Sequence, residues 1–241
     1  MNQEKILEFE KKIGYTFENP DLLITALTHS SYSNEKRLRK YQCNERLEFL
    51  GDAVLELISS EYIFQENPTK PEGDLTRTRA SYVCEPTLAL CAREIALGEY
   101  LLLGKGEDQT GGRDRDSILS DALEATIGAV YLDGGFERAK EYVNKFVLKD
   151  IESKKLFFDS KTILQEIIQG KHLELTYKLL DESGPDHCKS FTVAVVIDGK
   201  QVSKSTDRTK KKAEQSAAYQ AILALRQKNE DSAANKPQHG G

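Results

Sequence analysis

The sequence predicts two unlike domains, an all-α bundle followed by a small α+β unit of order α-β-β-β-α. Three observations carry that reading. From residue 4 to about residue 153, apolar residues recur at spacings of three and four with no sustained alternation, which is the period of helices. After Phe158 the period changes, and residues 175–181 and 191–197 place β-branched or aromatic side chains at alternating positions, as strands do. The chain of 241 residues is also long enough for two cores, with 39% hydrophobic residues to fill them.

In order, helices are expected near 4–13, 20–30, 41–65, 72–97, 115–132 and 136–152. Asn19-Pro20, Asn67-Pro68, Gly104-Lys105-Gly106, Gly111-Gly112 and Asp133-Gly134-Gly135 punctuate them as turns or caps. In the second unit a short amphipathic helix spans 160–169, and Gly199-Lys200 reads as a hairpin turn leading from the second strand into a third at 202–205. A final helix at 209–226 sets Ala213, Ala217, Ala218, Ala221 and Ile222 on its packing side. These assignments give domains at 1–154 and 159–228. Residues 229–241 are polar, without periodicity, and are expected to be a disordered tail.

The net charge of −5 conceals an asymmetry: residues 159–228 hold 12 Lys and Arg against 9 Asp and Glu, the rest of the chain 22 against 30, so it divides into +3 and −8. A mildly basic second unit suits phosphates, and an acidic first unit suits metal ions that supply the missing positive charge. No apolar run is long enough for a membrane span, and the segment after Met1 lacks the basic then apolar pattern of a secretory signal. A cytoplasmic protein without membrane contact is expected. Cys43, Cys84, Cys91 and Cys188 show no zinc-like spacing and read as reduced, mostly buried thiols.

The chemistry concentrates in Asn44-Glu45-Arg46-Leu47-Glu48-Phe49-Leu50-Gly51-Asp52. At about 100° per residue, Glu45, Glu48 and Asp52 project from one side of a helix. Leu47, Phe49, Leu50, Ala53, Val54, Leu55, Leu57 and Ile58 read as core around them. A second pair, Asp121 and Glu124, repeats the three-residue spacing on the strongly apolar helix that continues through Leu132. Acids so spaced usually lie on a solvated face. Here Glu48, Asp52, Asp121 and Glu124 lack the lysine or arginine four residues on that a salt-bridged surface helix tends to supply. Gly51, in mid-helix, costs roughly 1 kcal/mol against alanine and points to close packing. Two such helices face to face would gather oxygen ligands for a hard divalent cation. His29, a single histidine without a paired His or Lys motif, reads as a packing or hydrogen-bonding residue.

The nine-residue segment resembles the signature of the ribonuclease III family. Pro71-Glu72-Gly73-Asp74-Leu75-Thr76-Arg77-Thr78-Arg79-Ala80 is similar to its second motif, and the stretch from Leu103-Gly104-Lys105-Gly106-Glu107 through Gly111-Gly112-Arg113 to Asp121-Ala122-Leu123-Glu124 to its third. The resemblance covers almost the whole chain. It implies an Mg²⁺-dependent endoribonuclease, Mn²⁺ being able to substitute, with no nucleotide cofactor. Glu48, Asp52, Asp121 and Glu124 would be metal ligands, and Glu45 and Glu72 would lie beside the scissile phosphate. The catalytic set is then Glu45, Asp52, Glu72 and Glu124. Because water attacks, the products would carry 5′-phosphate and 3′-hydroxyl ends. The resemblance further implies precursor ribosomal and structured messenger RNA as substrates, short 3′ overhangs, and a homodimer with one site per strand in which Phe49 plugs the interface. On its residues alone Phe49 fits a core position as well.

The second unit is similar to the double-stranded RNA-binding domain. That similarity assigns Gln165, Glu166 and Gln169 to one minor groove, His187 in Gly184-Pro185-Asp186-His187 to the next, and Lys210 and Lys211 to phosphates between them. Lys210-Lys211-Lys212 would meet phosphate at a helix N-terminus, though a lysine run is often only a solvated face. The chain departs from the pattern at 203–209, where glycines are missing and a stiffer loop is expected. Lys36, Arg37, Arg39, Lys40, Arg77, Arg79, Arg113 and Arg115 are open to two readings, contact with phosphates near the cut or ordinary surface pairing. A non-catalytic duplex-RNA-binding dimer is the alternative to the enzyme, and a DNA-directed nuclease is disfavoured by the second domain.

Overall fold

The computed structural model describes residues 3–39, 42–184, 189–207 and 209–234. The chain divides into two compact units at residue 151.

The first unit is helical. It runs α1 (Gln3–Ile13), α2 (Pro20–Ala26), α3 (Ser30–Glu35), α4 (Glu45–Glu66), α5 (Glu72–Tyr82), α6 (Glu85–Glu94), α7 (Lys105–Gln109) and α8 (Asp116–Val143). A π-helical turn, Asn144–Leu148, leads into α9 (Ile151–Phe158), which from residue 152 belongs to the second unit. The first half of α8 is buried all round from Ile118 to Val130 except at the half-buried Asp121 and Glu124. Such a helix must be central, and α2, α4 and α6 pack around it. Two expected helices proved to be pairs. The segment 20–30 breaks where Thr28 and His29 leave the helix to pair with Leu102, and 72–97 breaks before Pro86, near Cys84. Conversely, 115–132 and 136–152 meet end to end across Gly135, whose φ of 80° only glycine adopts readily.

In the second unit α10 (Ser160–Gly170) precedes a three-stranded antiparallel sheet in the order β1 (Leu175–Ser183), β2 (Ser190–Ile197), β3 (Lys200–Asp207), and α11 (Lys210–Ala234) follows. The hairpin turn is Asp198-Gly199, one residue earlier than expected. Both residues have positive φ, 46° and 76°, and Ile197 faces Lys200 across the ladder, as the twist of paired strands favours. The stiff loop expected from residue 203 is instead β3 as far as Asp207, with Ser203 Oγ donating to the Ala217 carbonyl at 2.6 Å. Ala213, Ala217, Ala218, Ala221 and Ile222 are fully buried, packing α11 beside Leu164, Ile168 and Val195. α11 continues to Ala234, into the segment expected as tail. The remainder of that tail lies outside the described residues.

Candidate functional site

Two glycines set the site. A Cβ on Gly51 of α4 would lie 1.8 Å from the Glu124 carbonyl oxygen, and a Cβ on Gly128 of α8 2.3 Å from the Leu47 carbonyl oxygen. The two backbones therefore touch, and no side chain fits between them. Glu48 and Asp52 flank Gly51, while Glu124 stands one turn before Gly128, so the contact that excludes side chains also brings the acids together. Carboxylate oxygens of Glu48, Asp121 and Glu124 lie within 4.8 Å of one another.

Electrostatics follow from that crowding. Burial raises the Glu124 carboxyl to about 8, with the charges of Asp52, Asp121 and Glu48 adding to it. Glu48 is raised by burial and then by Asp121, Glu45 and Asp52. Asp121 is raised by burial despite a hydrogen bond from Ser120, with Glu85 adding to the rise and His29 opposing it. Half-buried carboxylates that repel one another fit a divalent ion: the donors are all hard oxygens, and a 2+ charge removes the repulsion. Asp52 and Glu45 are exposed and reach this group through their charge. Glu72 is not brought into it. It opens α5 and lines a separate recess with Ser60, Ile63, Phe64 and Arg79, near the far end of α4.

In the second unit Gln165, Glu166 and Gln169 are exposed along one face of α10. Lys210, Lys211 and Lys212 are exposed in the first turn of α11, where Thr209 Oγ1 accepts the Lys212 N–H at 3.2 Å. His187 lies outside the described residues.

The Ribonuclease-III-like family matches residues 19–151, and the double-stranded RNA binding motif matches residues 160–225. Ribonuclease 3 of Pelotomaculum thermopropionicum is 48% identical over 225 residues, covering 92% of this chain and 93% of that protein. The chain belongs to the ribonuclease III family. Ribonuclease 3 of Geobacillus thermodenitrificans is 47% identical, with 92% of each chain covered. Among solved structures, the nuclease domain of the Campylobacter jejuni ribonuclease III superposes with a TM-score of 0.55 at 44% identity, over 61% of this chain and 97% of that one. The chain is thus a ribonuclease III endoribonuclease, with double-stranded RNA as its partner.

Other residues of this ribonuclease III stand differently from expectation. By apolar character Ala53, Leu57 and, as one of two readings, Phe49 fit the core, yet Phe49 is 81% exposed, Leu57 59%, and Ala53 is exposed too. They lie on the side of α4 turned away from α8. Beside Phe49 is a groove of about 660 Å³ lined by Leu22, Thr25, Cys43, Leu47, Leu50 and Leu132. Cys43 and Cys91 are buried and Cys84 is half-buried, while Cys188 is outside the described residues. Several of the basic residues are engaged within the fold. Arg113 donates to the Gly98 and Leu101 carbonyls at 2.9 and 2.8 Å and pairs with Asp108, Arg115 pairs with Glu107, Arg77 pairs with Asp74, and Arg79 donates to Ser60. Lys36 reaches Glu35 at 3.8 Å, and Lys40 is outside the described residues. Sequence reasoning singled out Gly51 but missed its counterpart Gly128. The signal was present, a second glycine one helical turn after an acid. Among the described residues no helix is long and apolar enough to cross a membrane.

Proposed function

We propose that this chain hydrolyses both strands of duplex RNA in an Mg²⁺-dependent reaction, as a cytoplasmic homodimer acting on precursor ribosomal RNA and structured messengers. The convergence of Glu48, Asp121 and Glu124 carries the reading. With Asp52 these residues would hold the ion, and Glu124 must shed its proton to do so, since burial and three neighbouring acids favour the neutral form. The bound ion would supply a Lewis acid and ionise a water near neutral pH. Glu45, exposed on the same face of α4, would lie beside the scissile phosphate by the family pattern. Glu72, remote from the group within one chain, is assigned beside the scissile phosphate by the family pattern alone. The attacking oxygen ends on phosphorus and the 3′ oxygen departs, so the fragments carry 5′-phosphate and 3′-hydroxyl ends, and the family pattern implies short 3′ overhangs. Exposed Phe49 and the adjoining groove favour pairing of two copies, each filling the other's recess. In the second unit Gln165, Glu166, Gln169 and His187 would follow minor grooves, with Lys210 and Lys211 on phosphate.

The decisive experiment is cleavage of a long end-labelled duplex RNA with Mg²⁺ and with EDTA, beside Glu124→Gln and a duplex DNA control. The expected result is Mg²⁺-dependent scission of RNA alone, abolished in the variant while RNA binding persists. Binding without scission under every condition would leave a duplex-RNA-binding dimer and refute the enzyme reading.

A further inference from the structure

His29 sits where the approaches to both acid-bearing helices meet. The Thr28 carbonyl accepts the Asn44 N–H at 2.8 Å, just before α4 begins. The His29 N–H donates to the Leu102 carbonyl at 3.1 Å, and the Leu102 N–H to the Leu27 carbonyl at 2.8 Å, in the segment leading to α8. A Cβ on Gly104 would lie 2.8 Å from the Ser31 carbonyl oxygen, so the two segments are pressed together. A residue pinned from both sides is a rigid platform for its side chain.

The ring is oriented as firmly as the backbone. Gly104 N–H donates to Ser31 Oγ at 2.9 Å, which leaves the Ser31 hydroxyl proton for His29 Nδ1, 2.8 Å away. The Ser31 N–H also points to Nδ1, at 3.3 Å, making His29 the N-cap of α3. Two donors converge on Nδ1, so the network assigns it as acceptor and places the proton of the neutral ring on Nε2. Among the described residues Nε2 has no hydrogen-bond partner. The half-buried ring lies within electrostatic reach of Asp121.

A phosphodiester entering this site meets a cluster of carboxylates, while Arg113 and Arg115 are tied to acids and carbonyls of their own. We infer that His29 presents its Nε2–H to a non-bridging phosphate oxygen of the RNA at the cut, as a substrate-positioning residue. The inference rests on the nuclease reading above.

Two variants separate the donor from the cap. In His29→Asn the amide oxygen can still accept from Ser31 N–H, but no atom remains at the Nε2 position. In His29→Gln the amide nitrogen reaches towards that position at the expense of the cap. Thermal midpoints and single-turnover cleavage at subsaturating duplex RNA and saturating Mg²⁺ would be measured for both. His29→Asn should keep a near wild-type midpoint and lose roughly 10- to 100-fold in rate, the range for a hydrogen bond to a charged group. His29→Gln should recover much of that rate despite a lower midpoint. Activity that instead follows the midpoint, with the Asn variant at the wild-type rate or the Gln variant the poorer of the two, overturns the inference and leaves a capping residue. A wild-type protein that does not cleave overturns the nuclease reading first, before the variants are compared.

Discussion

At the scale of single residues, Glu124 makes a pH-dependent statement about stability. Its folded-state carboxyl is raised from 4.5 to about 8, chiefly by burial, and Glu48 and Asp121 are raised for the same first reason. Between those values the folded chain keeps a proton that the unfolded chain releases, so this contribution to stability is complete below 4.5 and is lost as pH rises through about 8. In EDTA, thermal midpoints measured across that window should therefore fall with rising pH. Saturating Mg²⁺ should reverse the trend, because the ion takes the place of the proton and binds more tightly as the proton leaves. A metal-free midpoint that stays level or climbs would contradict this account. The acids themselves were legible in the sequence, since a three-residue spacing on an apolar helix is a local property. Their perturbation was not, because it depends on Asp121 and Glu124 lying against a helix far away in the chain.

Among elements, the crossing of α4 and α8 is the contact on which the site depends. Gly51→Ala would place a methyl group 1.8 Å from the Glu124 carbonyl oxygen, and backbone yields less readily than a side-chain tip. The helices must separate, at a cost of roughly 1–3 kcal/mol or more, and Glu48 and Asp52 move away from Glu124. Denaturant unfolding should show that loss, with cleavage falling further than stability explains. Gly106→Ala is the control, because a Cβ there meets nothing within 4 Å and should leave both unchanged. Equal behaviour of the two variants would show that the close approach is not needed. The helices and strands were largely legible from period and punctuation. Misplaced boundaries fell where long-range pairing intervened, as at Thr28 and Leu102, or where turn geometry chose Asp198-Gly199 over its neighbour.

For the whole molecule, the exposed apolar residues of the first unit call for a partner. Phe49, Leu57, Phe64 and Leu132 are each more than half exposed, and such a concentration of exposed apolar side chains marks an interaction surface. Phe49→Asp should shift sedimentation from dimer to monomer and depress cutting of both strands, with the thermal midpoint at high dilution little changed. Leu7→Asp, at an exposed position on α1, should do neither. A Phe49→Asp protein that remains dimeric would move the interface elsewhere.

The sequence by itself determined the two-domain order, the helical and strand periods, the registration of each acid pair and the apolar side of α11, because these are properties of neighbouring residues and of the angle between them. Only the tertiary structure decided that Gly128 answers Gly51, that Arg113 and Arg115 are held by the fold, that Phe49 and Leu57 face outward, and that His29 lies within electrostatic reach of Asp121. Each of those depends on which face of one helix meets which face of another. An apolar or charged residue reads the same in sequence whether its face is covered or left open.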